Sequence, residues 1–136
     1  MILHIYSDAS FISEPEARSR SGGYFSLGPK SKTPIHYIPP KNGPVHVECS
    51  IMRNVMASST ESELGGLFEN CQKATSRRTA LSEMGHQRPP TPVATESTAS
   101  NSIVNRKAKQ KISQSINMIF YWVRERIRQN HFHVFW

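Results

Sequence analysis

Two periodicities alternate along the chain. Ile2-Leu3-His4-Ile5-Tyr6 is a short run of strand formers, and Gly22-Gly23-Tyr24-Phe25-Ser26-Leu27 reads as a second strand. Val45-His46-Val47-Glu48-Cys49 alternates as a third. Past Ser58 the period becomes helical: at 100° per residue Leu64, Leu67, Phe68 and Cys71 share one apolar arc, predicting a helix from about Ser59 to Ala74. A second helical piece carries Leu81 and Met84 and ends at Gly85. Val93-Ala94-Thr95 is a minimal strand, and Glu96-Ser97-Thr98 begins a helix through Ile103 and Val104. The stripe Ile116, Ile119, Phe120, Val123 and Ile127 marks the last helix, closed at Asn130, before His131 to Trp136 alternates as a final strand. Three connections follow from composition: polar Ser13 to Ser21, the proline-rich Gly28 to Pro44, where Ile35 to Ile38 can extend an edge, and Arg88-Pro89-Pro90-Thr91-Pro92. The pattern alone supports an α/β or α+β chain.

A length of 136 residues suits a single domain with a real core. Lys and Arg number 17 against 10 Asp and Glu, giving a net charge of +7 that favours a polyanionic partner. The basic residues Arg106, Lys107, Lys109 and Lys111 crowd together ahead of a helix that carries Arg124 and Arg128 on one face, a ridge suited to tracking phosphates or simply a solvated face. Cys49 and Cys71, far apart and without a second pair, make a zinc site unsupported and fit buried thiols in a reducing compartment. No apolar run approaches membrane length, and the start is too short and too soon polar for a signal peptide. The expected setting is intracellular, cytoplasmic or nuclear, with no membrane.

Three carboxylates stand where chemistry can use them. Asp8 follows the first strand, on the face shared by His4 and Tyr6. Ser58 and Thr60 each have a glutamate three residues on, so Glu61 and Glu63 both fit a capping box, and helix geometry does not choose between them. Glu96 sits at a strand-to-helix junction. Each has an ordinary alternative: a turn aspartate, a solvated helix glutamate, and a first-turn acid favouring the helix dipole.

Read together and in order, Ser7-Asp8-Ala9-Ser10, Arg18-Ser19-Arg20-Ser21-Gly22-Gly23-Tyr24, Ser58 to Leu67 and Phe120-Tyr121-Trp122-Val123-Arg124-Glu125-Arg126 resemble the ribonuclease H domain of copia-type retrotransposon polyproteins. The resemblance runs from Tyr6 to Trp136. It implies a mixed five-stranded sheet flanked by helices, and metal-dependent cleavage of the RNA strand of RNA/DNA hybrids. It implies Mg²⁺ or Mn²⁺ held by carboxylates, which as hard oxygen ligands suit those ions. The partners it implies are the hybrid and the reverse transcriptase region of the same polyprotein, and it adds the virus-like particle as a setting. Position by position it assigns catalysis and metal binding to Asp8, Glu63 and Glu96, with Glu61 left as the cap. The chain also departs from the family. Thr95-Glu96-Ser97 stands where relatives show Thr-Asp-Asn, Asn117 stands where they commonly have Asp, and the fourth carboxylate and the last helix have no counterpart before Trp136. These departures imply an activity weakened or lost, with a noncatalytic nucleic-acid-binding remnant as the alternative and a decayed, nonfunctional fragment as a third reading.

Overall fold

A computed structural model describes residues 1–29, 42–105 and 114–136. Strand β1 (Ile2–Glu14) turns through a short 3₁₀ segment (Pro15–Ala17) into β2 (Arg18–Gly28), and β3 (Pro44–Ile51) follows. Then come helix α1 (Ser59–Glu83), β4 (Thr91–Thr95), α2 (Thr98–Asn105), α3 (Gln114–Arg128) and β5 (Phe132–Phe135). The strands form one sheet in the order β3-β2-β1-β4-β5. β1 is antiparallel to β2 and β2 to β3, whereas β4 runs parallel to both β1 and β5. This is the mixed five-stranded sheet with flanking helices that the resemblance implies. The segment 35–38, the Ile116 side chain and the basic residues Arg106, Lys107, Lys109 and Lys111 lie outside the described residues.

α1 crosses the middle of the sheet. Leu64, Leu67, Cys71, Ala74 and Leu81 bury one stripe against Leu3, Ile5, Phe25 and Val93, and Val104, Phe120, Val123, Phe132 and Val134 complete the core. A fully buried leucine such as Leu67 contributes roughly 1.5–3 kcal/mol. Ser58 caps the helix by accepting from the Glu61 N–H at 3.2 Å, and the Glu61 carboxylate accepts from the Ala57 N–H at 2.8 Å. Glu61 is thus occupied at the helix start, as the capping pattern and the resemblance together expect.

The sequence reading is corrected at four places. The segment expected as a connection between residues 13 and 21 is mostly strand: β1 and β2 form a long hairpin paired from Ile2↔Gly28 to Glu14↔Arg18. Its far end is polar, and pairs such as Arg20 with Glu14 at 2.7 Å stand in for apolar burial, while α1 meets it through the buried Ser62–Ser19 hydrogen bond. The two expected helical pieces are one helix of 25 residues. The stripe passes through Arg78, which is buried and donates to Pro89 O at 2.8 Å and to Thr91 Oγ1. β4 begins at Thr91, inside the expected connector, because the Thr91 N–H donates to His131 O and Pro92 precedes the first β1 pair, Ile5↔Val93. Finally, Cys71 is buried but Cys49 is exposed, 3.5 Å from Arg20 Nη1.

Candidate active site

Asp8 lies within β1 rather than at its end, since the hairpin carries the strand onward. It is still a boundary: the β1–β4 pairing stops at Ser7↔Thr95, so Asp8 is the first residue of β1 beyond β4. Glu96 directly follows the last residue of β4. Parallel pairing therefore delivers both carboxylates to the same end of the central strands. Alternation along β1 turns Ser7 and Ala9 toward α1, while Tyr6 and Asp8 open onto a groove of about 740 Å³ on the other side. Glu96, Glu48, Tyr24, Phe135 and Trp136 also line that groove, and the Tyr6 and Tyr24 rings meet edge to face at 5.9 Å.

Glu63 comes from the other direction, in the second turn of α1. Close helix-to-strand approach makes its meeting with Asp8 possible. At Gly66 an added Cβ would lie 3.3 Å from Ala9 Cβ and 3.4 Å from Asp8 O, so the helix rides close on the strand at that point. Burial pushes the Glu63 carboxyl up to about 7, and the negative charges of Asp8 and then Glu96 push in the same direction. The Ala9 N–H, which donates to Asp8 Oδ1 at 2.8 Å, offsets part of this. Glu63 Oε2 is buried with no hydrogen-bond partner.

Glu63 thus combines a buried carboxylate oxygen that has no hydrogen-bond partner with the negative charges of Asp8 and Glu96. The donors are hard oxygens, the chemistry that suits Mg²⁺ or Mn²⁺, and on that ground the residues fit a divalent cation. Of the two neighbouring carboxylates, Asp8 acts on Glu63 more strongly than Glu96 does. Among the described residues no three His, Cys, Asp or Glu side chains converge tightly enough to enclose an ion, and Glu96 is the exposed, outermost member.

The basic candidates sit elsewhere. Arg124 lies over the Phe120 ring at 5.7 Å and Arg128 lies 3.6 Å from Glu125, both on α3, and neither lines the groove. Asn117 is partly exposed near the start of α3. Sequence reasoning missed two groups. Glu69, half-buried on α1, has its carboxyl raised mainly by burial while Lys73 pulls it back. Asn70, also on α1, reaches β1 and β2. A polar residue seven positions after Glu63 on the inward face was the available signal.

No family model matches the chain, and no curated protein matches it in sequence. Solved structures do. LC11-RNase H1, isolated from compost by a metagenomic approach, aligns over 98% of this chain and 82% of its own at 11% identity, with a TM-score of 0.67. The chain has the ribonuclease H fold. The same LC11 protein in complex with an RNA/DNA hybrid aligns with a TM-score of 0.64 at 11% identity, covering 98% of this chain and 84% of that one. The N-terminal ribonuclease H domain of a Mycobacterium tuberculosis protein gives 0.62 at 11% identity, over 98% and 82%. At such identities the likeness is one of fold, and the chemistry rests on the side chains of this chain.

Proposed function

We propose that the chain is a ribonuclease H-like nuclease domain of copia-type retroelement origin, acting on the RNA strand of RNA/DNA hybrids through Asp8 and Glu63 with Glu96 as an outer ligand. One observation carries this reading: Asp8, Glu63 and Glu96 come from three separate elements to one end of the sheet, where burial and mutual repulsion hold Glu63 near neutrality. The similarity to a fold solved with a hybrid supports the substrate class, and the ordered motifs from Asp8 to Arg126 support the retroelement origin.

When bound, a divalent cation supplies activation of water and neutralisation of the leaving oxygen. The residues of the chain do the rest. Asp8, exposed and held by the Ala9 N–H, presents its free oxygen to the groove. Glu63, raised to about 7, would hold the cation together with Asp8, and holding it would require the carboxyl in its ionised form. Within the groove Glu48 is neutralised by Lys73, so among the described residues the unpaired carboxylates that would repel phosphate are Asp8 and Glu96. Arg124 and Arg128, with the basic residues 106–111, supply sequence-independent attraction.

A second reading, a noncatalytic nucleic-acid-binding remnant, is favoured by the absence of an enclosing three-ligand cluster among the described residues. Incubating the purified chain with an RNA/DNA hybrid, with duplex DNA and with single-stranded RNA in Mg²⁺ or Mn²⁺ separates the two. Cleavage confined to the RNA of the hybrid and stopped by chelation supports the nuclease. Salt-sensitive retention of uncut hybrid supports the remnant.

A further inference from the structure

The carboxylate pair depends on the spacing between α1 and the strand beneath it, and that spacing is held by buried polar groups as well as by apolar packing. Asn70 is 1% exposed and lies seven residues, about two turns, beyond Glu63 on the same face of α1. Its Nδ2 donates to Ser7 Oγ and to Gly22 O, both at 2.9 Å. Ser7 is the residue before Asp8, and Gly22 is the cross-strand partner of Asp8 in β2. A single carboxamide therefore binds the helix to both strands that frame the carboxylate. Room for it comes from Gly23, where a Cβ would lie 2.2 Å from Asn70 Oδ1. On the other side of Glu63, Ser62 shares a fully buried 2.9 Å hydrogen bond with Ser19 of β2, and Ser19 Oγ in turn accepts from the Ile12 N–H at 3.2 Å.

We propose that Asn70 is a positioning residue: by clamping α1 to Ser7 and Gly22 it fixes the distance between Glu63 and Asp8 and so sets the affinity of that pair for a divalent cation. This rests on the reading of Asp8 and Glu63 as a cation-binding pair. Apolar contacts along the Leu64–Leu67–Cys71 stripe resist separation of helix and sheet but tolerate sliding, because they are nondirectional. Two hydrogen bonds from one buried amide are directional and stop the slide. A merely structural Asn70 would add stability without affecting cation affinity, and the two roles separate by experiment.

Mn²⁺ binding is measured calorimetrically on the full chain and on the variants Asp8→Asn, Asn70→Ala and Val123→Ala, together with the urea midpoint of each. Val123 is a buried α3 residue outside the candidate site and serves as the stability control. The expected result is Mn²⁺ binding lost in Asp8→Asn, weakened on the order of 10-fold in Asn70→Ala, and unchanged in Val123→Ala at a similar loss of stability. If Asn70→Ala does not fold, Ser7→Ala removes one of the two bonds and is expected to weaken binding several-fold. Asp8-dependent binding that survives Asn70→Ala or Ser7→Ala at full strength overturns the positioning role while leaving the pair intact. Absence of Asp8-dependent binding in the unmodified chain overturns both.

Discussion

Burial and the negative charges of Asp8 and Glu96 both favour the neutral form of Glu63, and only the Ala9 N–H opposes them. The folded value of the Glu63 carboxyl, about 7, lies above the ordinary 4.5, so the folded state binds its proton more tightly than the unfolded chain does. The contribution to stability is therefore full below the ordinary value and is lost as pH rises through about 7, where it levels off. For a partly open carboxyl the loss is on the order of 1–2 kcal/mol. In metal-free buffer the urea midpoint should fall across that window, and Glu63→Gln should flatten the profile. A profile of the unmodified chain already flat across the window would show that Glu63 has an ordinary pKa. The capping role of Glu61 was legible in the sequence, since Ser58 and Glu61 form the expected box, whereas the assignment of Asp8 and Glu63 came from the resemblance and is what the proposed function rests on. The part played by Asn70 was not legible, because an asparagine on a buried face looks like any other interruption of an apolar stripe.

At the scale of elements, pattern reading located every β-strand and α-helix among the described residues and placed the start of α1 at Ser59 and its stop at Gly85, but it split α1 in two and took the hairpin end for a connection. α1 looked like two helices because Arg78 breaks the apolar period, yet its guanidinium is buried against Pro89, Thr91 and the Phe132 ring. The hairpin end looked like loop because neither face is apolar once β1 passes beyond β4. α1 stops where the sequence reading ended it, at Gly85 with φ +88°, where the Gly85 N–H donates to Ser82 O and the His86 N–H to Leu81 O, both at 3.0 Å. Gly85→Ala should cost about 1 kcal/mol in a denaturation midpoint, since alanine resists that conformation and has open space around it. Gly23→Ala meets Asn70 instead and should cost roughly 1–3 kcal/mol. The second substitution, unlike the first, should also weaken Mn²⁺ binding, and equal Mn²⁺ affinity in the two would argue against the clamp.

The whole molecule combines a net charge of +7 with a carboxylate-lined groove. On the proposed function, the basic residues would attract the nucleic acid while the carboxylates of the groove would hold its phosphates off. If Arg124, Arg128 and the four basic residues of 106–111 each neutralise a phosphate, hybrid affinity should fall on the order of 10³-fold between roughly 50 and 200 mM salt. Replacing Arg124 and Arg128 by alanine should then reduce the slope of log affinity against log salt by about 2, readable in a filter-binding titration, and an unchanged slope would remove those two from the interface. The central claim is that Asp8 and Glu63 perform the chemistry. The most direct test is the rate of cleavage of a hybrid labelled on its RNA strand, in Mg²⁺ and in Mn²⁺, by the unmodified chain and by Asp8→Asn and Glu63→Gln. The account predicts cleavage by the unmodified chain that falls at least about 100-fold in either variant. Cleavage persisting at the same rate in both variants, or none by the folded unmodified chain, would contradict it.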